Sequence, residues 1–179
     1  MSPRNRFLRK LRLPLVLSGL LTGVLSCGET SGLTLKAVRA QDIWEHLRNN
    51  SQATAVLVNV WATWCAPCVE ELPMILDLGK EYNAGDLEIH LVSVDWLSER
   101  EMARAFLEEK GVSGVSFIKN QDDNEFIDAL WPEWTGAVPF TLIYSTNGKK
   151  VVDFWEGKKS RDHFVSAIER VLETRRGGA

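Results

Sequence analysis

Ala55-Val56-Leu57-Val58-Asn59-Val60-Trp61-Ala62-Thr63-Trp64-Cys65-Ala66-Pro67-Cys68 joins an apolar run to two closely spaced thiols. The run has the β-branched content of a buried strand. The residues that follow, Val69-Glu70-Glu71-Leu72-Pro73-Met74-Ile75-Leu76-Asp77-Leu78, read as an amphipathic helix. Cys65 and Cys68 therefore fall at i and i+3 on one face of the helix's first turn, close enough to bridge. Unpaired N–H groups and the positive dipole end at that position favour a thiolate. A dithiol so placed is suited to cycling between disulfide and thiolate. The redox group expected is the Cys65–Cys68 disulfide itself, with no other cofactor and no metal.

The chain has 179 residues, room for one domain with a leader or a tail. Met1 to Arg12 carries Arg4, Arg6, Arg9, Lys10 and Arg12 and no acid, and Leu13 to Leu25 is apolar. This is a charged n-region followed by a short h-region. The apolar stretch falls short of the roughly 20 residues that span a bilayer. It ends at Val24-Leu25-Ser26-Cys27, which resembles a bacterial lipobox. That resemblance implies that Cys27 becomes the mature N-terminus and carries a lipid. The same segment also reads as a plain cleaved secretory signal or as an uncleaved anchor. The expected organisation is a signal at 1–26, a tether at 27–32, a domain at 33–174 and a frayed tail at 175–179.

Three cysteines are an awkward number for an exported chain. With Cys27 acylated, Cys65 and Cys68 remain and no thiol is left over. One close pair closes too short a loop to staple a domain, so the pair is there for chemistry. Removing residues 1–26 takes away five basic side chains and no acid, which moves the net charge from −3 to −8. Such an acidic domain argues against nucleic acid or an anionic membrane surface as partner. The lipid on Cys27, not a basic patch, would hold it to the membrane.

Along the rest of the chain, Leu33 to Val38 reads as an edge strand. Ala40 to Asn50 reads as a helix with Ile43, Trp44 and Leu47 on one side. Thr54 to Trp61 is the central strand, Cys65 to Tyr82 the motif helix, and Leu87 to Val94 the next strand. Ser98 opens a helix with a capping box to Glu101 and an apolar face of Met102, Ala105, Phe106 and Leu107. Val112 to Ile118 is extended, Gln121 to Leu130 a short helix, and Trp131 to Gly136 a loop. Val138 to Tyr144 and Val151 to Trp155 form a hairpin turning at Asn147-Gly148. Ser160 caps a last helix whose buried side is Phe164, Ile168, Val171 and Leu172. Alternating elements followed by a hairpin imply an α/β fold, a mixed sheet with helices on both faces.

This order and the motif together resemble the thioredoxin family over roughly Leu33 to Leu172. Trp61 to Cys68 is similar to the active-site run of its oxidoreductases. Pro73 sits where the family kinks its long helix, and Val138-Pro139 where it has a cis-proline loop facing the dithiol. Glu71 with Pro73 two residues on, and Asn59 on the central strand, resemble the membrane-anchored TlpA/ResA branch. The resemblance implies a thiol–disulfide oxidoreductase with Cys65, Cys68 and Glu71 as catalytic groups. Trp64, Ala66, Pro67, Val138 and Pro139 would meet the substrate. Its partners would be protein thiols and disulfides, with an upstream membrane electron donor if it is a reductase. Its place would be the exported side of a bacterial membrane, the periplasm where the cell has an outer membrane. Phe140-Thr141 after the proline replaces a frequent Thr-Thr, so Phe140 is placed where the family contacts substrate.

Other readings stand beside these. Soft thiolates suit Cu(I), so a copper-handling binding protein of the same fold is the alternative function. Zinc would need two more ligands than the CxxC supplies. His46, His90 and His163 each read as surface or packing residues. Glu71 also reads as an exposed carboxylate favoured by the helix dipole. Asn59 is either a site group or a satisfied core residue. Trp61 reads as packing, Trp64 as the site's flank, and Trp44, Trp96, Trp131, Trp134 and Trp155 as core or loop packing. Asp95 reads as a turn residue.

Overall fold

The computed structural model describes residues 32–176. The leader, the lipobox with Cys27 and all of the tether but Gly32 lie outside the described residues, as do residues 177–179. In chain order the elements are β1 (Leu33–Val38), α1 (Ala40–Asn49), β2 (Ala55–Trp61), α2 (Ala66–Glu81), β3 (Leu87–Ser93), a 3-10 turn (Leu97–Glu99), α3 (Arg100–Glu109), β4 (Gly114–Lys119), α4 (Asp123–Leu130), β5 (Phe140–Ser145), β6 (Lys150–Glu156) and α5 (Arg161–Arg176). The strands make one sheet in the order β1-β4-β3-β2-β5-β6. β1, β4, β3 and β2 run parallel to their neighbours, while β5 and β6 form the antiparallel edge. This is the mixed sheet, helices on both faces, that the pattern of elements implies.

Every residue of β2 is buried because β3 and β5 flank it and helices cover both faces. Side chains alternate across the sheet. Val56, Val58 and Val60 face α1 and α4, together with Phe117, Phe140 and Leu142. Ala55 and Leu57 face α2 and α5, with Ile75, Leu78, Phe164 and Ile168. Trp61 joins Cys65, Cys68, Leu72, Ala103 and Leu107 in a third cluster under α2 and α3.

The structure corrects several sequence expectations. Ser98 lies in the 3-10 turn, α3 begins at Arg100, and Glu99 at its N-cap makes no side-chain capping bond. The apolar face of α3 is Ala103 and Leu107 with half-buried Phe106, whereas Met102 and Ala105 point to solvent. Ala103 and Leu107 pack with Leu33, Leu35 and Ile118, and that packing sets the buried face. The strand after Pro139 begins at Phe140, so Val138 belongs to the preceding loop. The β5–β6 connection is a four-residue turn, Thr146 to Lys149, with its left-handed residue at Lys149 (φ 49°) and not at Asn147-Gly148. A register irregularity at Ile143/Tyr144 absorbs the difference. Helix α5 continues to Arg176, past the expected end at Thr174, and Arg175 donates to Thr54 Oγ1 at 2.8 Å.

The tryptophan-rich segment also finds its place. Trp134 is buried, stacks on Phe140 at 4.9 Å, and donates from Nε1 to the Ala137 carbonyl at 2.8 Å. Phe140 is fully buried between that ring and the core, so it cannot contact a substrate, contrary to the sequence expectation. Phe140→Ala should cost about 3–5 kcal/mol in urea unfolding, from lost burial plus the cavity left behind. A loss under about 1 kcal/mol would show that Phe140 is not part of the core.

Candidate active site

Strand β2 ends at Trp61, and a short turn, closed by Cys65 N–H donating to the Ala62 carbonyl at 3.2 Å, brings Cys65 to the N-cap of α2. Cys65 and Cys68 are joined as a disulfide, with Cα atoms 5.2 Å apart. The Cys68 backbone N–H donates to Cys65 Sγ at 3.3 Å. A helix N-terminus offers four N–H groups without intrahelical partners, and here one of them is aimed at the sulfur. Pro67, in the first turn, has no N–H to give. Both cysteines are buried, while Trp64, Ala66 and Pro67 around them are exposed.

The Val138–Pro139 peptide is cis. Half-buried Val138 packs against the cluster that holds the two cysteines, so the sheet's antiparallel half brings this loop to the dithiol. The Pro139 carbonyl accepts from Gly157 N–H at 2.8 Å. Two residues further along the same β6–α5 loop, Lys159 N–H donates to Glu71 Oε1 at 2.8 Å. One loop thus ties the cis-proline to the buried carboxylate.

Glu71 lies one turn beyond Cys68 on α2 and is only 1% exposed, so the reading of it as a solvated helix carboxylate does not describe it. Burial pushes its carboxyl above the ordinary range. The Lys159 N–H, the charge of Lys158, the nearby Asn59 amide and the charge of Lys159 oppose that rise without cancelling it. Asn59 directs its amide hydrogen bond to Thr141 Oγ1 at 3.0 Å, across the β2–β5 pair, and Glu71 Oε2 is left without a hydrogen-bond partner.

Sequence reasoning missed the part played by Asp95, taken there as a turn residue. It is fully buried and accepts from Thr63 N–H at 3.1 Å, from Thr63 Oγ1 at 2.6 Å and from Ser93 Oγ at 2.7 Å. It fixes the loop two residues ahead of Cys65. The signal was a carboxylate just past one strand end and a threonine just past the neighbouring one, whose parallel pairing puts them side by side. Trp96, expected to pack, is 63% exposed, as is Trp64. Both line a cleft of about 190 Å³, together with Val94, Phe126, Ile127 and Trp134.

Residues 36–129, just over half of the chain, match the Thioredoxin domain family. The chain belongs to the thioredoxin family. Among curated relatives it is 32% identical over 98 residues to the thiol-disulfide oxidoreductase ResA of Oceanobacillus iheyensis, covering 55% of this chain and 47% of that one. It is 29% identical over 130 residues to ResA of Geobacillus kaustophilus, covering 73% and 68%. The chain thus spans about half the length of the first of these relatives. A thioredoxin-related protein from Neisseria meningitidis serogroup B shares the fold, with a TM-score of 0.59 at 20% identity over 69% of this chain and 89% of that one.

Two predictions follow from this thioredoxin-family site. Asp95→Ala leaves buried donors at Thr63 unsatisfied and should cost about 1–3 kcal/mol in urea unfolding. A change below about 0.5 kcal/mol would remove Asp95 from the site's framework. Glu71 binds its proton more tightly folded than unfolded. Its contribution is therefore most favourable below its ordinary value of 4.5 and is lost as pH rises through the folded value. The unfolding free energy of the parent should then fall relative to that of Glu71→Gln as pH rises through the folded value. A difference between the two that is independent of pH, or that moves in the parent's favour as pH rises, would contradict this.

Proposed function

We propose that the chain is an exported thiol–disulfide oxidoreductase that reduces protein disulfides in the cell envelope through Cys65 and Cys68, as in cytochrome c maturation or redox homeostasis. The observation that carries the reading is Cys65 Sγ at the start of α2, accepting the Cys68 N–H, beside the cis Val138–Pro139 loop. The likeness to relatives named thiol-disulfide oxidoreductase ResA supports the same chemistry.

In the reduced protein, the Cys65 thiolate attacks one sulfur of a substrate disulfide. A Cys65–substrate bond forms, the substrate S–S bond breaks, and the other substrate sulfur leaves as a thiolate. Cys68 then gives its proton to the ionised form of Glu71, whose burial raises its affinity for a proton, and attacks Cys65 Sγ. The second substrate thiolate leaves, and the Cys65–Cys68 disulfide remains. Two electrons have passed to the substrate. An upstream membrane electron donor restores the dithiol. The exposed Trp64, Ala66 and Pro67 form the surface against which an extended substrate segment would lie, with half-buried Val138 and buried Pro139 opposite.

Among the described residues no helix is long and apolar enough to cross a membrane. The membrane attachment in this proposal is the lipid on Cys27, following the lipobox resemblance.

Cys68→Ala, expressed in cells, should accumulate mixed disulfides on Cys65 that reducing agent releases. Cys65→Ser in the same background should accumulate none. If Cys68→Ala captures nothing that reducing agent releases, the oxidoreductase reading is wrong.

A further inference from the structure

His46 on α1 and Glu88 and His90 on β3 come together on the face of the sheet that α1 covers, away from α2 and its dithiol. Glu88 and His90 are two apart on a strand and so share a face. They pair in register with Val56 and Val58 of β2, whose side chains point to the same layer. The ligand-capable atoms of the three residues all lie within 4.8 Å of one another. The His46 and His90 rings meet edge to face at 4.9 Å, and Phe117 closes the apolar side against both.

His90 is 97% buried as judged by its 3% exposure, yet neither of its ring nitrogens has a hydrogen-bond partner. Glu88 Oε1 stands 2.9 Å from His90 Nε2, close enough for an ion pair but without hydrogen-bond alignment. A buried imidazole ordinarily satisfies at least one nitrogen, because leaving it bare costs about 1–3 kcal/mol.

We propose that His46, His90 and Glu88 form a binding site for a divalent transition ion of the zinc class, separate from the dithiol. Two imidazoles and one carboxylate are a donor set for such an ion, with water completing a tetrahedron. Ligand atoms about 2.0–2.2 Å from a common tetrahedral ion sit roughly 3.3 Å apart. His90 Nε2 and Glu88 Oε1 are already near that spacing. Rotation of half-buried His46 brings in the third ligand. An open cleft beside His46, bordered by Asp42, Glu45 and Asn50, gives the ion a route from solvent, and its two acids offset Lys36 at the same rim. The bound ion would clamp α1 to β3.

The test is calorimetric titration of the full chain with ZnCl2 in its disulfide form, so that Cys65 and Cys68 cannot take the metal. One ion should bind per chain, and the thermal midpoint should rise with Zn2+ concentration. His46→Gln and Glu88→Gln should each weaken binding by more than ~10-fold and lose the thermal shift. Both replace side chains that are partly exposed, and circular dichroism without metal checks that each still folds. No saturable binding by the parent, or binding that persists at parental affinity in both variants, would overturn the assignment. Neither outcome bears on the thiol chemistry, which the Cys68→Ala capture tests.

Discussion

Strand β2 must be buried along its whole length and still deliver a sulfur to the N-terminus of α2 at its end. Flanked by parallel β3 and antiparallel β5, Ala55 to Trp61 has no solvent-facing side. The sheet's two modes of pairing meet here. The parallel side requires helical crossovers, which supply α2 and its N-terminus. The antiparallel side supplies the hairpin whose approach contains the cis Val138–Pro139 peptide. The dithiol and the loop opposite it are therefore products of one strand's position, held by Asp95 on the first side and by Trp134 and Gly157 on the second.

The electrostatics of the site divide along the same helix. At its first turn the N–H of Cys68 and the helix dipole favour negative charge on Cys65 Sγ. One turn later, burial disfavours negative charge on Glu71. A sulfur biased towards the anion and a carboxyl biased towards the acid stand on either side of Cys68. In the proposed mechanism Cys68 is the resolving thiol, and the ionised form of a buried carboxyl with raised proton affinity suits it as the base that takes its proton.

Much of this was readable in the sequence because it is local. The apolar run, the i and i+3 cysteines, Pro67, Pro73 and the order of elements each declare themselves within a few residues, and the thioredoxin-family fold follows from them. What was misread depends on distant pairing. Asp95 and Thr63 are far apart in sequence and meet only because β2 and β3 run parallel in register. Phe140 reads as a substrate contact from its offset, but the Trp134 ring from the preceding loop covers it. The buried face of α3 is set by its packing with Leu33, Leu35 and Ile118, which a capping pattern does not reveal. His46 and His90 each look unremarkable alone, and only the packing of α1 on β3 brings them together with Glu88.

The central claim is that the fold makes Cys65 an attacking thiolate. The most direct measurement is the rate at which iodoacetamide alkylates Cys65 in the fully reduced protein at pH 6, with the modified residue located by mass spectrometry. A sulfur stabilised at the N-terminus of α2 should react at least ~10-fold faster than free cysteine under the same conditions. A rate equal to or below that of free cysteine would contradict the account.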